Sequence, residues 1–183
     1  MVYDIAINKA WEGLAELNTG RNFSVTFFGD EYSVEPAKKQ VLSLACNVPA
    51  KDFTAILILH YLAQEIKGLP ALAGQWLTFR ELAGIEGYEP AFRKRAIEPL
   101  ISKYGSNPQG LFNVTGRLPA KKVEGADAAV ILEAFKGVPA LIKIWSQDEE
   151  FSSDANIYFD ASIVKIFCTE DIVVLAGIIA GKL

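Results

Sequence analysis

The residues best suited to chemistry are acids in one loop and two arginines elsewhere in the chain. The loop holds Asp148, Glu150 and Asp154, together with Glu149. Asp148 and Glu150 are two residues apart, so on an extended segment they point to the same side. A planar guanidinium binds carboxylates and other oxyanions through paired hydrogen bonds. We therefore predict that Arg80 or Arg93 meets this acidic pair, or that the arginines and acids together bind a ligand.

Other polar residues extend this set, although each also has an ordinary structural explanation. His60 is the only histidine and lies on an apolar stripe of a predicted helix, where a histidine is most often a core residue with one hydrogen bond. Arg80 and Glu81 are adjacent and could form a simple salt bridge. The sequence assigns no catalytic residue. The candidate ligand-binding residues are His60, Tyr61, Arg80, Glu81, Arg93, Asp148, Glu150 and Asp160.

Several reaction classes lack the residues they need. The chain has no Gly-x-Ser-x-Gly pentapeptide of serine hydrolases, and Gly177, Gly181 and Lys182 do not have the spacing of a phosphate loop. One histidine and two separated cysteines, Cys46 and Cys168, are a poor source of metal ligands. We expect no metal and no cofactor, and we expect both cysteines to be reduced thiols that pack as small hydrophobic residues.

Composition limits the cellular setting. The chain has 183 residues, of which 51% are hydrophobic, and its mean hydropathy is +0.21. This predicts one folded domain over residues 1–183. A net charge of −4 argues against nucleic-acid or anionic-membrane partners, which attract clustered cations. No apolar run approaches the roughly 18 to 20 residues that span a bilayer, and no signal peptide is recognisable, so we expect a cytoplasmic protein without a membrane partner.

The acidic loop must be held by the segments on either side of it. Ala140 to Trp145 and Asn156 to Asp160 have the pattern of two strands, and alternation places Ala140, Ile142 and Ile144 on one face. These segments predict the central hairpin of a sheet. We expect Trp145 to be buried in that hairpin.

The remaining elements predict an α+β fold, with a mainly antiparallel sheet and helices packed on one face. Helices are predicted at 4–17, 49–66, 89–104, after Asn107-Pro108 and from Thr169 to Gly181; strands are predicted at 23–28, 32–35, 40–45, 76–79, 127–135 and 163–167. Asn18 and Gly20 should end the first helix, and Gly29-Asp30 should form a two-residue hairpin turn. Residues 127–135 suit a helix or a strand, and we prefer a strand. Pro99 should kink or break its helix because it cannot donate to the Arg95 carbonyl.

The chain also resembles a family of anaerobic bacteria and archaea known as domain of unknown function 3786. The resemblance rests on Phe27-Phe28-Gly29 with Tyr32, Leu59-His60-Tyr61-Leu62, Gly74 with Trp76, Phe79, Arg80 and Glu81, then Tyr88, Phe92, Arg95, Pro99, Asp127, Val138-Pro139, Trp145, Asp148-Glu149-Glu150-Phe151, Phe159-Asp160 and Glu170-Asp171. The chain departs from the family pattern at Ser152, where proline is usual.

This resemblance implies a setting more than a reaction. Members of the family can follow a cysteine-rich iron–sulfur module, which implies work beside redox or corrinoid-linked enzymes. Two cysteines are too few for such a cluster, so any cluster would belong to a partner protein. Our leading hypothesis is an accessory or binding protein with a possible redox or iron–sulfur partner. The alternative is an enzyme or small-molecule binder with a pocket lined by arginines and carboxylates.

Overall fold

The chain folds into two compact units, Met1–Pro70 (the N-terminal unit) and Ala71–Leu183 (the C-terminal unit). The computed structural model describes residues 3–17, 20–85 and 87–183, so the predicted stop signal Asn18 lies outside the described residues. Each unit combines helices with an antiparallel sheet, which confirms the α+β fold class. The assignment of the whole chain to one domain stays a prediction.

The N-terminal unit has a four-stranded sheet in the order β1-β2-β3-β4 and two helices. The strands are β1 (Phe23–Phe27), β2 (Asp30–Glu35), β3 (Gln40–Ser43) and β4 (Val48–Pro49), and the helices are α1 (Asp4–Ala15) and α2 (Asp52–Lys67). Trp11 and Leu14 of α1 are buried. Helix α2 buries residues around most of its circumference, as a helix with apolar residues on more than one side does.

Two local predictions in this unit are wrong by a few residues. The loop of the first hairpin is Phe28-Gly29, because Phe27 pairs with Asp30. Both loop residues have positive φ, 53° and 84°, as a tight turn between twisted strands requires. Pro49 belongs to β4 and pairs with Leu42, so α2 begins later than expected.

The C-terminal unit is built on a five-stranded antiparallel sheet in the order β5-β9-β8-β7-β6. The strands are β5 (Trp76–Thr78), β6 (Ala120–Val123), β7 (Ala128–Phe135), β8 (Val138–Trp145) and β9 (Asp154–Asp160). The predicted hairpin is confirmed, since Ala140 pairs with Phe159 and Ile142 with Ile157. Strand β8 is central, and Ala140, Ile142 and Ile144 are almost fully buried. The strand alternative for residues 127–135 is also confirmed.

The helical segments of this unit pack on that sheet and on one another. They are α3 (Glu89–Phe92), a π-helical turn (Arg93–Ile97), α4 (Glu98–Tyr104) and α5 (Thr169–Lys182), with 3-10 segments at Phe79–Glu81, Pro108–Gly116 and Ala161–Lys165. Helix α4 contacts β8 and β9, and α5 contacts the π turn. The strand predicted at 163–167 is therefore wrong. Asp160 accepts a hydrogen bond from the Ser162 amide and starts a 3-10 segment there instead.

Two more local predictions differ from the structure: the sequence predicts a turn over Lys136-Gly137-Val138-Pro139 and a helix N-cap at Thr169. Val138 and Pro139 lie within β8, and the turn is Lys136-Gly137. A proline is tolerated in this central strand because the pairing with β7 shifts register at Glu133, beside it. Cys168, not Thr169, occupies the N-cap position of α5.

Three burial predictions are corrected. Trp145 lies at the end of β8 and is only partly buried, because it is on the opposite face from Ile142 and Ile144. Cys46 and Cys168 are free thiols, but both are exposed and do not pack as core residues.

Within residues 3–17, 20–85 and 87–183, no helix has the length and apolar character needed to cross a bilayer.

Candidate functional site

A pocket of about 290 Å³ in the C-terminal unit is the best candidate site. It lies where the segment after β5, the start of the α3 helix and the start of β9 come together. Its lining combines an apolar part with two arginines and two carboxylates: Thr78, Phe79, Arg80, Glu89, Phe92, Arg93, Ile97, Asp154, Ala155 and Asn156. We call it the arginine pocket.

Two stacked aromatic rings form the apolar part of the arginine pocket. The ring centroids of Phe79 and Phe92 are 4.2 Å apart and the ring planes differ by 6°. Both side chains are buried. Phe79 is held at the start of its 3-10 turn by a capping box, in which Glu81 accepts hydrogen bonds from the Thr78 amide and hydroxyl. These hydrogen bonds lower the pKa of Glu81, so this predicted ligand residue already has a structural role.

Arg80 follows Phe79 and is bound to the first residue of α3. Its Nε donates to Glu89 Oε1 at 2.5 Å, and its Nη2 forms an ion pair with the same oxygen. The predicted pairing of Arg80 with Asp148 or Glu150 is therefore wrong. The charge of Arg80 is largely balanced within the pocket.

Arg93 is held less tightly and begins the π turn. Its Nε lies 3.9 Å from Glu98 Oε1, at the limit of an ion pair, and its side chain is 55% exposed. The π turn arises beside Pro99, as the sequence predicted a distortion there: Glu98 N donates to Arg93 O, five residues earlier. Single π turns within helices are frequent at functional sites.

The first residues of β9 complete the arginine pocket. Asp154 is exposed and pairs with Trp145 in the sheet, while Asn156 is half-buried two residues further on the same side of the strand. Within the described part of the chain, no cationic side chain lies within ion-pair distance of Asp154. The Asn156 side-chain oxygen accepts from the Ile157 amide, and its NH₂ group is a hydrogen-bond donor.

The remaining predicted residues lie elsewhere. His60 and Tyr61 belong to α2 in the N-terminal unit, where Tyr61 donates to Glu65 at 3.3 Å. Asp148 accepts from the backbone amides of Glu150 and Phe151, which is turn chemistry. Neither Asp148 nor Glu150 lines the arginine pocket. Of the eight candidate ligand-binding residues, the structure therefore brings only Arg80 and Arg93 together in that pocket. Their role in ligand binding stays a prediction.

Asp160 has a structural environment of its own. It is 5% exposed, and its carboxylate accepts from the amides of Ala73, Gly74 and Ser162 at 2.8 to 2.9 Å. Burial alone would raise the pKa of Asp160, but these hydrogen bonds outweigh it and lower the pKa. The residue therefore anchors the chain before β5.

Sequence reasoning missed most of the arginine pocket. The sequence pattern predicts that Glu89 begins a helix, and it marks Phe79 and Phe92 only as apolar residues of a strand and a helix. The sequence places Asp154 in the acidic loop, but it does not indicate that Asp154, rather than Asp148 or Glu150, lines the arginine pocket. The only available signal was the concentration of arginine, proline and aromatic residues around 79–99, which does not specify contacts across the fold.

Comparison with protein-family models identifies the family of this chain. The family model described as a domain of unknown function, DUF3786, matches residues 10–182. No curated protein and no solved structure matches the chain.

Proposed function

We propose that this chain, which belongs to the domain of unknown function 3786 family, is a binding protein whose arginine pocket takes a small organic anion. One observation carries the proposal: Arg80 and Arg93, from separate segments, line the same pocket. Arginine forks match the geometry of carboxylates and phosphates. The volume of about 290 Å³ lies near the lower end of ligand pockets, so the ligand is compact.

The two arginines have different parts in this proposal. Arg80 already forms an ion pair with Glu89, so Arg80 serves as part of the pocket wall. Among the residues that the structure describes, Arg93 has only the distant contact with Glu98, so its Nη groups are the donors best placed to receive an anion. The buried Phe79–Phe92 pair provides a rigid apolar surface beside them. A rigid wall and one incompletely paired guanidinium are suited to selective binding rather than to bond breaking.

Isothermal titration calorimetry tests this function with three probes: acetate, 4-methylpentanoate and inorganic phosphate. We expect at least one to bind. Arg93→Gln should weaken that binding by roughly 10- to 100-fold, the equivalent of about 1.5 to 3 kcal/mol for a charge-assisted hydrogen bond. Lys94→Gln is the matched control, because it removes the same charge from the next, exposed residue, which does not line the pocket. No binding by any probe, or equal losses in both variants, would contradict the proposal.

We also propose that this binding protein is a cytoplasmic accessory to a redox or iron–sulfur partner. The support is the family resemblance and the presence of only two cysteines, both free, which leaves cluster ligation to the partner. Affinity purification from the native host, followed by mass spectrometry and iron analysis, tests this role. A captured protein with a cysteine-rich cluster motif and stoichiometric iron supports it, and recovery of the chain alone contradicts it.

A further inference from the structure

The charges of the arginine pocket narrow the class of ligand. We infer that the ligand is a zwitterion of the α-amino acid type, with its carboxylate bound by Arg93 and its ammonium group bound by Asp154. This inference rests on the proposed function and specifies its ligand. The supporting observation is that Arg93 and Asp154 are the cation and the carboxylate of the pocket without a close charged partner among the described residues.

The balance of charge separates the four ionic groups into two kinds. Arg80 and Glu89 neutralise each other through two contacts to one carboxylate oxygen. For Arg93 the nearest carboxylate oxygen within the described residues is 3.9 Å away, on Glu98. Asp154 has no cationic neighbour at ion-pair distance in that same part of the chain. A simple anion would satisfy Arg93 but would meet the negative charge of Asp154 in the same small pocket, so it should bind more weakly than a ligand that also carries a cation.

A ligand with both charges removes this conflict. Its carboxylate can accept from the guanidinium fork of Arg93, and the Asn156 amide adds a neutral donor. Its ammonium group can donate to Asp154, which the antiparallel pairing with Trp145 fixes at the start of β9. The carbon skeleton would then lie against Ile97 and the Phe79–Phe92 pair, which favours an aliphatic side chain over none.

Three matched probes test the inference by calorimetry on the full chain. L-Leucine carries both charges, 4-methylpentanoate lacks only the ammonium group, and 3-methylbutylamine lacks only the carboxylate. We expect leucine to bind at least about tenfold more tightly than either single-charge analogue. Asp154→Asn should remove the advantage of leucine over 4-methylpentanoate, while Arg93→Gln should weaken both. Asp148→Asn is the matched control, because Asp148 lies in the same loop but outside the pocket.

The outcomes distinguish this inference from the function on which it rests. If 4-methylpentanoate binds as tightly as leucine and depends on Arg93, the anion-binding function stands and the zwitterion is wrong. If Asp148→Asn and Asp154→Asn have the same effect, Asp154 is not the ammonium site. If none of the probes binds, both proposals fail. Thermal midpoints of all variants show whether a loss of binding reflects unfolding, and Asp154→Glu provides a second variant that keeps the charge.

Discussion

Replacing Asp160 should destabilise the C-terminal unit more than any exposed acid of the chain. The Asp160 carboxylate is almost inaccessible to water and accepts three backbone hydrogen bonds, at 2.9 Å from Ala73, 2.8 Å from Gly74 and 2.9 Å from Ser162. It joins the segment before β5 to the end of β9, the strand with which β5 pairs. Asp160→Ala removes both acceptor oxygens and with them all three hydrogen bonds.

The expected loss follows from these contacts. A hydrogen bond to a charged group contributes about 1.5 to 3 kcal/mol, and bonds that share one carboxylate are not additive, so Asp160→Ala should cost roughly 3 to 5 kcal/mol. Asp160→Asn keeps one acceptor oxygen but turns an NH₂ group toward an amide donor. It should cost about 1 to 3 kcal/mol. Glu150→Ala is the control, since its side chain is exposed and lies in the acidic loop.

The pH dependence gives this prediction a second test. The folded-state pKa of Asp160 is below the ordinary value of 3.8, so its stabilising effect is complete above that value and is lost as the pH falls through the folded-state pKa. Urea denaturation followed by tryptophan fluorescence should therefore show the largest gap between wild type and Asp160→Asn at neutral pH. The gap should shrink below about pH 4. A gap that is absent at pH 7, or that widens on acidification, would refute the assignment of Asp160 as a charged acceptor.

Three further predictions concern burial and reactivity. Phe92→Ala should lower the free energy of unfolding by about 3 to 5 kcal/mol, because it removes one ring of a buried stack. Trp145→Ala should lower it by only about 1 to 2 kcal/mol, because Trp145 is partly exposed. Urea titrations of both variants measure these losses, and a larger loss for Trp145→Ala than for Phe92→Ala would contradict the prediction. Chelator treatment should leave the thermal midpoint unchanged, since no three potential metal ligands cluster in the described residues, and a fall of several degrees would identify a structural ion. In a Cys46→Ser background, Cys168 should react with a thiol reagent with a midpoint above pH 9.0. Although the residue is exposed, its thiol is partly desolvated and lies beside the Asp171 carboxylate, and both effects raise its pKa. A midpoint below this ordinary value would contradict that environment.

The sequence was most informative where one pattern had one structural solution. Alternating apolar residues predicted the β8–β9 hairpin because a register slip would turn Ile142 and Ile144 toward solvent. It was less informative where neighbouring residues suited two conformations. The segment 163–167 is apolar enough for a strand, but Asp160 caps the 3-10 segment Ala161–Lys165, which occupies most of it. The placement of Trp145 failed because alternation assigns a face to a residue but does not show how fully that face is covered.

The candidate site was harder to predict because its contacts join distant segments. Charge spacing suggested that Asp148 and Glu150 would meet an arginine, yet Asp148 satisfies amides of its own turn. Acids in turns often have this local role, and sequence alone does not separate it from ligand binding. Arg80 found its partner in Glu89, nine residues away along the chain, through a contact set by the fold rather than by helical spacing.

The π turn connects this local chemistry to the shape of the arginine pocket. Phe92, Ala96, Ile97 and Leu100 are all buried, so this helix buries Ile97, five residues after Phe92, as well as Ala96, four residues after it. A regular α-helix has 3.6 residues per turn, and a spacing of five would rotate Ile97 away from the face of Phe92. One extra residue in the turn, which the missing Pro99 amide helps to accommodate, lets both side chains face the core. The same turn leaves Arg93 at the border between the buried stack and solvent, so the distortion that satisfies the core also positions the guanidinium of the proposed site.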